Sequence, residues 1–261
     1  MNALDFGFGT IEAQLWQILF LSIRCGAALL AAPMVGGMAV PAPVRILLSL
    51  VLGYFIASWV PVPALPEMMS LAAVLAVFQE IAVGLMLGFV LQLAFAIPLV
   101  AAEQISGTMG LAIATSIDPA SGAQSGALGT FFGLVLSLLF YAIGAHLLWF
   151  ELLIESYRLL PAGAFAFGAW RAESVVMFMG YGLAAAAAIA LPVVLVLLLV
   201  QIVTGLIARS APALNLFALG LPAGVLAGVA ALIIAMPVMV GQFRGVIETA
   251  LDQSAALIEA R

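Results

Sequence analysis

Long apolar runs alternate with short turn-rich breaks along the whole chain. The runs are Ala13–Ala32, Val44–Val60, Met68–Pro98, Ala127–Phe150, Ser174–Ala208 and Pro222–Val240. A helix needs about 20 apolar residues to cross a bilayer, so the pattern predicts about six spans. The breaks carry the residues that end helices. Pro33–Pro43 holds three prolines and a Gly pair, Pro61–Pro66 three prolines, and Ile117–Gly126 and Leu160–Trp170 read as loops. Two runs exceed one straight span. Ser174–Ala208 has Pro192 near its middle, where one helix kinks or two short ones meet, and Ser210–Phe243 is interrupted by Pro212, Gly220 and Pro222. The expected fold is therefore all-α, a polytopic integral-membrane-type protein with broken helices and hairpins. Irregular backbone at membrane depth is tolerated only inside protein or beside a wet cavity, so this architecture expects partner subunits or a pore.

Composition narrows the class. The 261 residues are 66% hydrophobic and 7% charged, against roughly 25% charged in soluble domains, which is too few to build a water-facing surface. Every basic side chain is an arginine. Without lysine there is no polybasic patch for nucleic acid or anionic lipid. One cysteine and one histidine exclude an internal disulfide and make a zinc site implausible. Cys25 sits in an apolar run and reads as a structural thiol. Asp5 and Glu12 precede the first apolar run, so it reads as a retained helix and not a basic-led secretory signal. No phosphate-cradling glycine motif, dinucleotide fingerprint or metal cluster occurs, and no cofactor is expected.

Polar residues inside the apolar background are the candidate site. Ala101–Gly122 (AAEQISGTMGLAIATSIDPASG) places an acid, an amide, hydroxyls and glycines where lipid tolerates them poorly. Glu103 and Gln104 read either as a polar contact to a neighbouring helix or as part of a flexible element lining or plugging a pore, with Gly107 and Gly110 as hinges and Met109 as adaptable filler. Asp118-Pro119 reads as a turn in preference to a catalytic acid. Glu80, Gly84 and Gly88 share one helical face; that spacing reads as a packing seam, or alternatively as a carboxylate handling protons or ions. No matching base for Glu80 is evident from spacing. Ser121, Ser125 and His146 invite comparison with an intramembrane Ser–His dyad, but nothing else supports one. From the residues alone this is a non-enzymatic membrane component, a channel or scaffold subunit or a secondary transporter.

The run A-x-E-x-I-x-x-x-M-G-L-x-x-A-x-x-x-D-P-x-S-G over Ala101–Gly122 resembles the signature of the FliR family, whose injectisome counterpart is SctT. The resemblance extends in order through Arg24, Pro33, Pro41 and Arg45, then Glu80, Gly84 and Gly88, then His146 and Pro161, then Leu191-Pro192 and the block Gly205–Pro222 with Arg209, Pro212, Asn215, Phe217, Gly220 and Pro222. The chain departs from the family pattern at Ala102, Thr108 and Ala223-Gly224. The resemblance implies a subunit of the type III protein export gate, flagellar by its D-P-A-S-G form, with the injectisome apparatus as the alternative. It implies a single FliR-type domain over residues 1–261, with 1–171 like the P-type subunits and 172–261 like a Q-type helical hairpin. One copy joins P-type and Q-type subunits in a hetero-oligomeric export-gate spiral in the inner membrane, near the B-type and A-type membrane proteins of the apparatus. Unfolded flagellar proteins are the substrates, and there is no enzymatic activity. A plug role is carried over to Ser106, Gly107, Met109, Gly110, Ser116 and Asp118. A packing or subunit-contact role is carried over to Glu80, Gly84, Gly88, Glu103, Arg209, Pro212, Asn215, Phe217, Gly220 and Pro222.

Overall fold

The computed structural model describes residues 9–36, 40–61, 70–111, 126–163, 172–210 and 216–259, and these are helical apart from short turns. Among the described residues seven helices follow in order: α1 (Gly9–Ala31), α2 (Ala42–Trp59), α3 (Leu71–Met109), α4 (Ala127–Ala142), α5 (Ala145–Leu159), α6 (Ala172–Ser210) and α7 (Leu216–Glu259). Five helices are long and apolar enough to cross a membrane, and the α4/α5 pair makes up to six if it counts as one broken span.

The long runs are less broken than their prolines suggest. α3 and α6 each run 39 residues and α7 runs 44, with Pro98, Pro192, and Pro222 and Pro237 inside them. Each proline removes one backbone donor, yet the flanking apolar turns keep their ladders. α3 therefore continues past Pro98 through Glu103, Gln104 and Gly107, which the pattern placed beyond the span. Where one run was expected over Ala127–Phe150, the helix breaks at Ile143-Gly144. Gly144 adopts φ +73° as the N-cap of α5, a left-handed conformation that glycine alone takes without strain. A glycine inside an apolar run gives hydropathy no sign of such a break.

The chain divides into two compact units. The first comprises Met1–Gln92, Gly144–Val176 and Ala250–Arg261, and the second Leu93–Ile143 and Met177–Thr249. α3, α6 and α7 each lend a segment to both.

In the first unit α1 is gripped by two other helices through glycines. A Cβ on Gly53 of α2 would lie 2.9 Å from the Ile18 carbonyl oxygen and 3.0 Å from the Ser22 amide nitrogen. A Cβ on Gly84 of α3 would collide with the Arg24 carbonyl and lie 2.8 Å from the Ala27 Cβ, and one on Gly88 would lie 2.6 Å from the Ala31 Cβ. Only hydrogens fit, so the backbones approach closely and gain dispersion contact along the seam. Phe20, Leu21, Leu29, Ile56, Leu87, Trp149 and Leu153 fill the core around it. In the second unit Phe140 packs edge-on against Phe95, and Phe132 against Phe243. Phe132, Phe140 and Phe243 are wholly buried, with Leu136, Ala190 and Val193 alongside.

Candidate functional site

Two polar constellations stand out, one in each unit. In the first unit Arg24 of α1 is wholly buried, as is Glu80 of α3. The guanidinium Nε donates to Glu80 Oε2 at 2.8 Å and Nη2 donates to Oε1 at 2.9 Å, a bidentate fork. Nη1 donates to the Ser156 carbonyl and hydroxyl oxygens at 2.8 and 3.0 Å, and Nη2 also donates to the Leu160 carbonyl at 2.8 Å. All five N–H groups of Arg24 thus have acceptors. The two carbonyls lie at the C-terminal end of α5, which carries partial negative charge; that of Ser156 also accepts from the Leu160 amide at 2.9 Å. Arg24 therefore caps α5 while neutralising Glu80. Its charge also sits 4.1 Å from the Tyr157 ring centre. The Tyr157 hydroxyl donates to the Leu21 carbonyl and contacts Cys25 Sγ at 3.4 Å.

Sequence spacing gave Glu80 no base; Arg24 is that base, 56 residues away. A signal was available. Arg24 and Glu80 are isolated opposite charges, each inside an apolar run, and such charges are tolerated only when paired. A carboxylate with both oxygens held by one buried guanidinium ties α3 to α1.

In the second unit the last turn of α3 is a Schellman cap. Leu111 N–H donates to the Ser106 carbonyl at 3.0 Å and Gly110 N–H to the Gly107 carbonyl at 3.2 Å, with Gly110 at φ +82°. The Thr108 carbonyl accepts from Gln201 Nε2 of α6 at 2.8 Å. The Met109 carbonyl oxygen faces Gly224 of α7, 3.3 Å from where a Cβ would stand. Ser106 and Met109 are buried. A Cβ on Gly228 would lie 2.6–2.8 Å from Met109 Cγ, Cε and Sδ, so the thioether occupies the space that this glycine leaves on α7. Gly107, by contrast, is helical with open space where a side chain would project. Gly110 rather than Gly107 makes the chain reversal. Seven residues before this cap, Glu103 Oε1 accepts from the Gly126 amide at 3.3 Å. Gly126 is the N-cap of α4, so the carboxylate meets the positive end of that helix.

Among the other candidate residues, Gly84 and Gly88 line the α1–α3 seam, and Arg209 is exposed in the last turn of α6. Gly220 and Pro222 lie within α7. Ser116, Asp118, Pro212 and Asn215 lie outside the described residues, as do Ser121, Ser125 and the side chain of Phe217. Among the described residues no group of three or more His, Cys, Asp or Glu side chains is arranged to hold a metal ion.

These features define an all-helical, multi-pass membrane protein whose buried polar groups are spent on joining helices. The sequence profile of the family described as bacterial export proteins, family 1, matches residues 15–250, and the chain belongs to that family. It is 32% identical over 230 residues to the flagellar biosynthetic protein FliR of Escherichia coli (strain K12), covering 86% of this chain and 84% of that one. It is 31% identical over 238 residues to the FliR protein of Bacillus subtilis (strain 168), covering 90% and 91%. With the surface presentation of antigens protein SpaR of Shigella sonnei it shares 32% identity over 144 residues, 55% of this chain and 56% of that one. The chain is thus a multi-pass inner-membrane protein of the flagellar export type.

Proposed function

We propose that this chain is a core subunit of the flagellar type III protein export gate and helps form and plug the channel through which unfolded flagellar proteins cross the inner membrane. It works by gating and carries out no reaction. The observation that carries the reading is family similarity over residues 15–250, together with a polar, glycine-bearing helix end at Ser106–Leu111. Both ends of the segment between α3 and α4 are tied down, one by the Schellman cap and Gln201, the other by Glu103 at the start of α4. A tethered segment of this kind suits a plug, which must return to one position after each passage. Ser106, Gly107, Met109 and Gly110 form its base, and Ser116 and Asp118 belong to its body. An apolar constriction seals against ions while accepting varied side chains.

One copy of this chain joins P-type and Q-type subunits, residues 1–171 resembling the former and 172–261 the latter, with B-type and A-type membrane proteins alongside. The apolar faces of α6 and α7 support such partners: Leu199, Leu206, Leu226, Ile233 and Ile234 are each at least 59% exposed. The flagellar reading is favoured over the injectisome reading because similarity covers 84–91% of the two FliR relatives and 56% of SpaR. Deleting Gly107–Ala114 leaves co-purification with P-type and Q-type subunits intact and raises ion conductance of the resting gate. Unchanged conductance with normal secretion refutes the plug assignment. Restored motility in a strain lacking its own copy of this subunit tests the flagellar role.

A further inference from the structure

α7 changes character along its length. Its middle presents Ile233, Ile234 and Val238, each at least 60% exposed, as a helix facing lipid or partner helices does. Its end is built differently. In Ala250–Glu259 the side chains of Ala250, Leu251, Ser254, Leu257 and Ile258 are buried, while Asp252, Ala256 and Glu259 are exposed. Buried positions at i, i+1, i+4, i+7 and i+8 make the stripe of an amphipathic helix seated on its own protein. Ser254 does not interrupt the stripe, because its hydroxyl donates to the Ala250 carbonyl at 2.8 Å.

This end of α7 belongs to the first unit, together with α1, α2, the start of α3, α5 and the start of α6. Its neighbour there is α5. Leu251, Asp252 and Ala255 form one wall of a groove whose other wall is Leu148, Glu151, Leu152 and Glu155. Those four positions share one face of α5. Gln253 Nε2 also donates to the Ser174 carbonyl in the first turn of α6, at 3.3 Å. Another face of α5 carries Trp149, Leu153, Ser156 and Tyr157, all buried. That face is fixed to α1 and α3: Trp149 Nε1 donates to the Leu87 carbonyl at 3.3 Å, Tyr157 donates to Leu21, and Arg24 donates to Ser156. α5 therefore lies between the Arg24 cluster and the end of α7. At 15 residues it is near the length at which an isolated helix is marginal in water, so it depends on both neighbours.

We infer that Ala250–Glu259 is a clasp that completes the N-terminal unit: it holds α5 against α1 and α3, and Arg24 keeps its acceptors on Ser156 and Leu160 only while the clasp is seated. These residues follow every other part of the unit in synthesis. α1, α2 and α5 thus reach their packed arrangement only after the whole of α7 has been made. A chain with a damaged clasp keeps its apolar spans but offers any partner an unfinished N-terminal unit. The inference concerns how this chain closes on itself and does not depend on the export reading.

The test uses the full chain purified in detergent, with a buried thiol reporting on each unit. Cys25, wholly buried, reports on the first. Met239→Cys in a Cys25→Ala background reports on the second, where Met239 is wholly buried. Leu257→Asp/Ile258→Asp puts two carboxylates into the stripe. It is expected to speed labelling of Cys25 about tenfold or more while labelling at position 239 stays within about threefold of its own background. Leu257→Ala/Ile258→Ala, a milder cut in the same stripe, is expected to speed Cys25 labelling more than threefold and is read in place of the acid pair if that pair does not accumulate. Ala256→Asp, on the exposed face of the same turn, and Leu257→Met/Ile258→Leu, which keeps the stripe apolar, should leave both rates within threefold. Cys25 labelling that stays within threefold in the stripe variants overturns the clasp. Equal acceleration at both reporters overturns it as well, because the end of α7 then supports the whole fold and not this unit. So does an Ala256→Asp chain that labels as fast as the acid pair, since added charge and not loss of the stripe then accounts for the effect.

Discussion

Replacing Arg24 with methionine removes the positive charge that Glu80 faces and takes a donor from four acceptor groups: the Glu80 carboxylate, the Ser156 hydroxyl and the carbonyls of Ser156 and Leu160, of which the Ser156 carbonyl keeps the Leu160 amide at 2.9 Å. Breaking a buried ion pair from one side costs about 3–5 kcal/mol, because the surviving charge stays desolvated. Arg24→Met/Glu80→Met removes both charges and replaces them with apolar groups of similar reach. What remains is the loss of the donor to the part-buried Leu160 carbonyl, about 1–3 kcal/mol at most, offset by new apolar contact. The double variant is therefore expected to be more stable than Arg24→Met. Cys25 provides the assay. It is the sole cysteine, wholly buried, next to Arg24 in α1 and in contact with Tyr157. Its labelling by a thiol reagent in the detergent-solubilised protein reports opening of this cluster without any added probe. A loss of 3–5 kcal/mol corresponds to roughly 100- to 4,000-fold faster labelling, at tenfold per 1.4 kcal/mol. Arg24→Met should fall in that window and the double variant below it. Labelling of Arg24→Met within threefold of wild type, or a double variant that labels faster than the single, refutes the account of Arg24 as clamp and cap.

Three further perturbations probe the same framework. Tyr157→Phe removes the hydroxyl that donates to the Leu21 carbonyl; a loss of about 1 kcal/mol predicts roughly fivefold faster Cys25 labelling, and no change would mean that water replaces the bond. Gly84→Val pushes α3 off the α1 backbone at Arg24 and Ala27; overpacking of this kind costs about 1–3 kcal/mol and should lower the amount of folded protein in the membrane, read by protease resistance. Phe243→Ala empties a wholly buried site against Phe132, and a loss of about 3–5 kcal/mol should appear as a lower thermal midpoint while Cys25 labelling at low temperature stays unchanged.

The helices and their apolar character were legible because period and length are local properties. Glu80, Gly84 and Gly88 could be placed on one face from spacing alone. What they face could not, because the Arg24 contact is chosen by three helices meeting and not by any local pattern. The prolines were an ambiguous sign for a related reason: Pro192 left one kinked helix or two short ones open, and Pro222, read as an interruption, lies inside α7. Pro192 and Pro222 each remove one donor, but a helix whose neighbouring turns are apolar and at membrane depth has no better place for its remaining backbone groups, so the ladder continues. At Gly144 the reverse happened: a residue that hydropathy ignores supplied a left-handed cap, and one run became two helices. The base of the candidate plug was read as a hinge because two glycines stood close together. Only Gly110 reverses the chain, and its partner Gly107 is an ordinary helical residue. Sequence could have separated them, since a Schellman cap wants glycine at one position past the last helical turn, but the end of α3 had first to be known.

The burial of the long helices carries the last step. The most apolar stretch of α3 is 56% buried within the chain, and those of α6 and α7 only 28% each. α3 thus finds most of its contacts inside this protein, and its polar end at Ser106–Leu111 is built into those contacts. α6 and α7 supply that end with Gln201, Gly224 and Gly228 from one side and present unfilled apolar surface on the other. The helices that hold the end of α3 are therefore also the ones that leave the most apolar surface uncovered by this chain.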